Sequence, residues 1–316
     1  MKNSVFTLLL AFACIAAWAQ ESQTAYNFLR LPASAHSAAL GDENISLVED
    51  DPSLVFSNPA LLSSVSDKSI GFNYMNYMSG ANMLGASFNR IVKEKLSWAA
   101  SAQYIGYGTM RQTTEDNVQT GEFSAKDIAV AGHLSYMLSD KIVGGITAKF
   151  ITSYIGDYNS IAVGVDLGLN YFDAEHDFSL SAVAKNLGGQ LKAYDENFEK
   201  MPIDIQIGAS KQFAAAPFRI HATLVDLNHW NYKFINHLVV GADILLGSTL
   251  WVGGGYNFRR ADEMSILATG EEKGSSHGAG LSFGGGVSLE RFKLNVAFGK
   301  YHVSSSSIVV SAAYSL

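Results

Sequence analysis

From about residue 69 to the end of the chain, the dominant period of apolar and polar positions is two. Within 127–138, Ile128, Val130, Leu134, Tyr136 and Leu138 interleave with Asp127, Ala129, Ala131, His133 and Ser135. Within 160–171, Ile161, Val163, Val165, Leu167, Leu169 and Tyr171 interleave with Ala162, Gly164, Asp166, Gly168 and Asn170. Successive side chains of a strand point to opposite faces, so this period predicts strands with one oily face and one polar or small face. Fourteen such segments follow one another: 69–78, 83–90, 96–107, 127–138, 141–151, 160–172, 177–186, 203–211, 217–227, 237–246, 249–258, 279–289, 292–301 and 307–316. Most are about ten residues long, the length a tilted strand needs to cross a bilayer.

The connections carry a second pattern. Those after even-numbered segments (91–95, 139–140, 173–176, 212–216, 247–248 and 290–291) are short. The long ones, 108–126, 187–202 and 259–278, all follow odd-numbered segments. Outer-membrane barrels alternate short periplasmic turns with longer outer loops, whereas a soluble sandwich has no reason to sort loops by parity. The expected fold is therefore all-β: a 14-stranded antiparallel transmembrane β-barrel, with both ends of the barrel in the periplasm of a Gram-negative bacterium.

Composition fits this picture. The mean hydropathy of +0.10 is too low for a bundle of membrane helices. The stretch from Leu238 to Tyr256 is apolar enough to suggest a helix, but Asp243 and the Gly247-Ser248 turn divide it into a strand pair. Tyr74, Trp98, Tyr104, Tyr136, Tyr171, Tyr256 and Tyr314 lie on apolar faces, several near strand ends, as in an aromatic girdle. The opposite, lumen-facing set includes Lys149, Asp166, Lys185, Asp204, Arg219, Asp243 and Lys293, charges that cannot cheaply face lipid. Their expected use is structural pairing with a segment inside the barrel, for which the glycines and serines of the same face leave room. The balance of 22 basic against 29 acidic residues argues against a nucleic-acid partner.

Residues 1–19 read as a secretory signal, with Lys2, an apolar run from Phe6 to Ala17 and a small-x-small site at Ala17-Trp18-Ala19. The single cysteine, Cys14, falls inside it, so the mature chain from Gln20 has no thiol; a lipidated Cys14 is the alternative, on a poor lipobox. Residues 20–68 leave the barrel pattern. The small-residue stretch 33–41 could form a helical turn, and Asp51-Pro52 and Asn58-Pro59 each place a capping residue before a Pro at a first helical position. Short helices joined by irregular backbone suit a lumen plug, because such backbone is tolerated at membrane depth only inside protein or water. A periplasmic tail is the other placement. The chain thus divides into a signal (1–19), a plug (20–68) and a barrel (69–316).

Two stretches carry a resemblance. Phe28-Leu29-Arg30-Leu31-Pro32-Ala33-Ser34-Ala35-His36-Ser37-Ala38-Ala39-Leu40-Gly41-Asp42 is one. Asp50-Asp51-Pro52-Ser53-Leu54-Val55-Phe56-Ser57-Asn58-Pro59-Ala60-Leu61-Leu62, with its Asn-Pro-Ala, is the other. Together they resemble the start of the PorV/PorQ family of type IX secretion system outer-membrane proteins, which is related to the FadL fatty-acid transporter barrels. The length and compact loops resemble PorQ more than the longer PorV. The similarity covers the plug closely and the barrel in general pattern. It implies a fourteen-stranded barrel with an N-terminal hatch. It also implies a place in the complex where a sortase-type peptidase (PorU) and PorZ attach secreted cargo to surface lipopolysaccharide. A PorV-like member holds the peptidase or cargo, and a PorQ-like member is expected to hold PorZ.

Catalytic motifs are weak. Gly280-Leu281-Ser282-Phe283-Gly284 matches a nucleophile elbow but lies in mid-strand, where the required strand, sharp turn and helix are missing. His302-Val303-Ser304 resembles the His-x-Ser of outer-membrane lipid A deacylases, with no acid nearby in sequence and a polar hairpin loop as the plainer reading. The eight histidines show no metal-ligand spacing, there is no P-loop, and no cofactor is indicated. A non-enzymatic anchor is expected, embedded in outer-membrane lipid and docking its soluble partner through loops that carry Trp230, Tyr232, Phe234, Arg259 and Arg260, types enriched at hot spots. A FadL-like transporter of hydrophobic small molecules and a PorV-like cargo shuttle are the alternatives. The transporter needs an apolar pocket beside the plug and an opening through the wall.

Overall fold

The computed structural model describes residues 24–116, 118–213, 216–265, 276, 278–302 and 305–316. The expected signal with Cys14, and Val303-Ser304 of the His-x-Ser motif, lie outside the described residues.

Fourteen strands close into one antiparallel barrel: β1 (Ser69–Asn76), β2 (Asn82–Lys93), β3 (Leu96–Thr113), β4 (Gln119–Met137), β5 (Ile142–Ile155), β6 (Tyr158–Asp173), β7 (Phe178–Lys192), β8 (Asp204–Gln212), β9 (Phe218–Leu224), β10 (Leu238–Leu246), β11 (Leu250–Asn257), β12 (Leu281–Ser288), β13 (Phe292–His302) and β14 (Ser305–Ser315). Each falls on one expected segment. β1 pairs with β14 from Ser69↔Ser315 to Asn76↔Ile308, so the sheet has no free edge. Burial follows the alternation: on β8, Asp204, Gln206, Gly208 and Ser210 are buried inward while Ile207 is exposed outward.

The connection 108–126 departs from expectation. β3 and β4 stay paired up to Thr113↔Gln119, beyond the apolar girdle, so most of that stretch is a projecting hairpin. Backbone pairing continues there without an oily face, and a search for alternation stops too early. β7 likewise runs on to Lys192, past a bulge where Val165↔Leu187 gives way to Leu167↔Ala184.

Residues 24–68 fill the lumen. The segment begins with a 3₁₀ turn (Asn27–Arg30) and helix α1 (Ala35–Ala39), and continues through 3₁₀ turns at Pro52–Phe56 and Pro59–Ser64. The caps sit where the Asx-Pro pairs place them: the Asp51 side chain accepts from Ser53 N–H at 2.8 Å, and that of Asn58 from Ala60 N–H at 2.9 Å. Ser34 caps α1, and Gly41 (φ 104°) ends it. Thr24 bridges Lys200 in the β7–β8 connection, at the long-loop end. At the short-turn end Ser66 binds Asp50, and Asp67 binds Arg90. The plug therefore threads the whole lumen, from the long loops to the start of β1.

Small wall residues are what let the plug backbone in. A Cβ on Gly255 would stand 2.1 Å from the carbonyl carbon of Leu40, and one on Gly145 2.4 Å from Ala60 N. On Gly168 it would stand 2.1 Å from Asn58 Oδ1. Leu40, Leu47, Leu54 and Leu61 form the plug's own apolar core, all at most 1% exposed. Overpacking a close contact costs about 1–3 kcal/mol. Gly255→Val should accordingly leave a heat-modifiable, SDS-resistant barrel while raising protease cleavage within 24–68 by roughly one to two orders of magnitude. Unchanged cleavage would mean that the plug does not bear on that wall.

Candidate functional site

Three of the lumen charges, Arg219, Asp243 and Lys293, meet the plug in buried clusters, and the other four stay with wall groups or a cavity. Asp243 of β10, fully buried, accepts from Arg219 of β9 at 2.5 Å and from His36 Nε2 at 2.8 Å. His221 Nε2 lies 3.4 Å from its other oxygen. His36 Nδ1 meets Glu49 at 2.8 Å, and Arg219 reaches the same carboxylate at 3.7 Å. With a carboxylate on each nitrogen, the imidazole donates both ways and is held as a cation. Trp251 stacks on it, centroids 3.5 Å apart and planes 9° from parallel, a favourable site for a ring cation.

The other clusters repeat the theme. Lys293 pairs with Asp50 of the plug. Arg260 pairs with Asp42, which also accepts from the Tyr301 hydroxyl. Burial raises the Asp42 carboxyl to about 6, against the opposing pull of Arg260 and Tyr301. Arg30 pairs with Asp226 at 3.1 Å, and Glu43 accepts from Gln206 at 2.8 Å. Lys149 and Asp166 pair with each other at 2.7 Å across the wall, and Asn186 links both. Asp204 accepts from Gln206 and from Asp226 N–H, each at 2.7 Å. Lys185 is buried and lines a small polar cavity beside the plug, with Arg30, Ser101, Gln103, His133 and Lys149. That cavity holds about 20 Å³, one water-sized occupant.

Of the residues expected to dock a partner, Trp230 (65% exposed) and Phe234 (64%) are exposed at the long-loop mouth, with the Trp230 ring lying 5.3 Å from that of His237. Arg260 does not. In helix α2 (Phe258–Glu263) it turns inward, 7% exposed, and donates to Ala279 O, Ser282 Oγ and Asp42. It is a clamp on the plug, and the expectation of a surface contact is corrected. A long-range partner such as Asp42 leaves no local signal in sequence. Arg259 pairs with Asp226 and Glu263 and lies over the Tyr232 ring, 4.4 Å from its centroid, so these two brace the mouth. Ser282 of the elbow-like motif is mid-strand in β12 and engaged by Arg260. The ring of His36, with Glu49 and Asp50, escaped the sequence reading. The available signal was a run of acidic residues, Asp42, Glu43, Glu49, Asp50 and Asp51 among them, in a plug expected to meet lumen cations. The three groups closest to metal-ligand spacing among the described residues, Asp173, Glu175 and His176, lie in the β6–β7 turn, where Lys141 already occupies Asp173 at 2.9 Å.

A closed fourteen-stranded barrel threaded by an N-terminal plug is the FadL-type outer-membrane fold. Similar solved structures include the toluene transporter TodX of Pseudomonas putida, at a TM-score of 0.59 and 15% identity over 90% of this chain and 98% of that one. A FadL homologue of Pseudomonas aeruginosa superposes at 0.56 with 11% identity, covering 90% and 98%. The CymD monoaromatic hydrocarbon channel superposes at 0.58 with 14% identity, covering 90% and 97%. No family model and no curated protein matches the chain, so the comparisons speak for the FadL-type fold and are silent on type IX secretion.

The His36 cluster predicts a pH optimum for plug seating. Burial works to lower the His36 pKa, but Glu49 and the hydrogen bond to Asp243 outweigh it and the pKa is raised above 6.5. That stabilisation is complete below 6.5 and is lost as pH rises through the raised value. Burial works to raise the Glu49 pKa, but His36 and Arg219 lower it below 4.5, so its contribution is lost as pH falls through the lowered value. The raised Asp42 carboxyl removes stability as pH climbs toward about 6, so hydrogen-exchange protection of residues 33–51, corrected for intrinsic rates, should be greatest at the acid end of the window between 4.5 and 6.5 and weaken toward pH 9. His36→Gln should flatten the alkaline limb. Asp243→Ala, which strands two buried cations, should cost about 3–5 kcal/mol of plug stability at any pH in that window.

Proposed function

We propose that this chain is a plugged outer-membrane barrel that holds a soluble surface protein at its long-loop mouth. The filled lumen carries the reading. Charged pairs tie the plug to the wall, and the cavity beside Lys149 and Lys185 is polar and water-sized. That cavity gives a hydrophobic solute neither room nor an apolar lining. The large side chains without a place inside, Trp230, Phe234, Ile235 and Phe198, are instead exposed at the mouth, where aromatic anchors serve binding. Short turns and both chain ends face the periplasm in this reading, and the long loops face outward. The PorV/PorQ-like plug motif supports the finer assignment. In it the barrel belongs to the type IX attachment complex and anchors a PorZ-like protein alongside PorU and PorV, with no catalysis or cofactor of its own.

A second reading, transport of small apolar molecules, is favoured by the fold: TodX is a toluene transporter and CymD a monoaromatic hydrocarbon channel. Taken alone, the solved barrels favour it over the anchor. It requires the plug to leave its ion pairs and the wall to open. The β6–β7 bulge beside the Lys149–Asp166 pair is the irregularity nearest the lumen cavity.

Two measurements separate the readings. Affinity purification of the tagged barrel from mild-detergent outer membranes should recover a large soluble surface protein at near-equal amount. Trp230→Ala with Phe234→Ala should reduce that recovery more than tenfold, as loss of two hot spots of about 2 kcal/mol each would. The same barrel in liposomes should pass no toluene. A barrel recovered alone that passes toluene establishes the transporter instead.

A further inference from the structure

A roomy hollow lies on the outside of this molecule. On the lipid-facing wall over β1, β2 and β3, with β4 and β14 at its sides, lies an almost wholly apolar hollow of about 480 Å³. That volume is typical of a small-molecule or acyl-chain site.

Cross-strand register shows how the sequence makes it. One outward row runs Val310, Tyr74, Leu84, Tyr104, Ile128 across adjacent strands. The row nearer the short turns runs Ala312, Phe72, Ala86, Ala102, Val130. Bulky groups stand in the first row, and alanines hollow out the middle of the second. Phe72 is 61% exposed and Leu84 51%, so both belong to the lipid-facing band.

The next row toward the long loops changes character. It runs Asn76, Asn82, Gly106, Lys126, Tyr154. Tyr74 OH donates to Asn82 Oδ1 at 2.7 Å, and Asn76 donates to the same oxygen at 3.2 Å. A Cβ on Gly106 would stand 2.8 Å from the Tyr104 hydroxyl, so the glycine lets Tyr104 lay its polar tip on this rim. Lys126 is the cation of the row, exposed, its ammonium 5.2 Å from the Tyr154 ring centre. Two residues along a strand span about 7 Å, so Lys126 stands about that far beyond Ile128. Apolar depth, a hydroxyl and amide rim, and one cation at the edge match a lipid with an acyl chain and an anionic phosphate.

We propose that this wall seats one anionic lipid of the leaflet on the long-loop side, with an acyl chain in the hollow and its phosphate at Lys126. The occupant follows from place and charge. The hollow is continuous with the lipid-contacting band, and its polar edge carries a cation one outward row beyond the apolar rim. The site does not depend on whether the plug moves. It gives the barrel a fixed lipid beside the mouth, on the face shared by the first and last strands.

The test uses the whole barrel in nanodiscs of phosphatidylcholine containing a minor fraction of phosphatidylglycerol with a photoactivatable acyl chain. Crosslinks mapped by mass spectrometry should concentrate on Phe72, Leu84 and Tyr104. Phosphatidylglycerol should be enriched about fivefold over its share of the disc, the worth of one lysine near a membrane surface. Lys126→Gln, which leaves the apolar wall intact, should abolish that enrichment. Ala86→Leu with Ala102→Leu should cut crosslinking at the hollow several-fold, whereas Ala182→Leu on the lipid-facing side of β7 should not. Crosslinks spread evenly around the barrel, or enrichment indifferent to Lys126→Gln, would overturn the proposal. So would a hollow left unlabelled because a second copy covers it, seen as a dimer on a native gel.

Discussion

Inside a bilayer no water is available to the backbone, so every N–H and C=O of a spanning segment must find its partner within the protein. This chain meets the demand by closing β1 on β14, and nearly everything else in the structure follows from that closure. A ring of fourteen strands is too wide for its own side chains to fill. The lumen must then hold water or more chain. Here it holds residues 24–68, and that choice moves the backbone problem inward, since the plug has little regular structure to satisfy its own groups. Side-chain caps at Ser34, Asp51 and Asn58, and wall groups such as the Ser311 hydroxyl that accepts from Ala35 N–H, take over that duty.

Two kinds of wall position make the plug fit in one way. Glycines at 145, 241 and 255 admit its backbone, and Gly168 the Asn58 side chain, at distances that any side chain would forbid. Charges at 219, 243, 260 and 293 demand its ionic groups at set heights. Buried pairs of this kind add little net stability against an apolar alternative, but a displaced plug would leave charges unpaired at a cost of several kcal/mol each. The pairs thus specify a position more than they strengthen it. Asp243 of β10 shows the logic: the three groups around it, Arg219, His36 and His221, come from β9 and the plug, so shifting either element breaks the cluster.

The strands were readable because a lipid-facing wall imposes period two on every crossing, and the pattern persists wherever lipid does. It faded where lipid ends. β3 and β4 run past Gly106 and Lys126 into a hairpin whose outward residues, Glu122 and Ser124 among them, are polar, and there pairing alone keeps the strands together. The plug was readable at its Asx-Pro caps, since capping is a local interaction between neighbours. Its direction through the lumen was not, because that depends on contacts such as Ala25 N–H to Lys200 O and Arg260 to Asp42, between residues far apart in sequence. The same distance misplaced Arg260. An arginine in a long loop reads as a surface group until its acidic partner is known, whereas Trp230 and Phe234 have no buried place to go and remain at the mouth.

The distribution of polarity separates the two faces of the wall more sharply than fold likeness alone suggests. A conduit for apolar solutes wants an oily interior reached from a polar exterior mouth. In this barrel the interior is taken up by the plug, its apolar side chains packed in buried clusters and its charges paired, while the oily hollow lies on the membrane side, with the β1–β4 wall between them. Gln103 touches both, its side chain turned to the lumen and its backbone forming part of the hollow's floor. The ladder across that wall, Asn73↔Gly85↔Gln103, is unbroken. An apolar molecule in the hollow therefore meets a closed sheet, and a polar one in the lumen meets the plug. The wall as it stands separates a lumen filled by chain from an open apolar hollow, and binding on either side can proceed without passage through it.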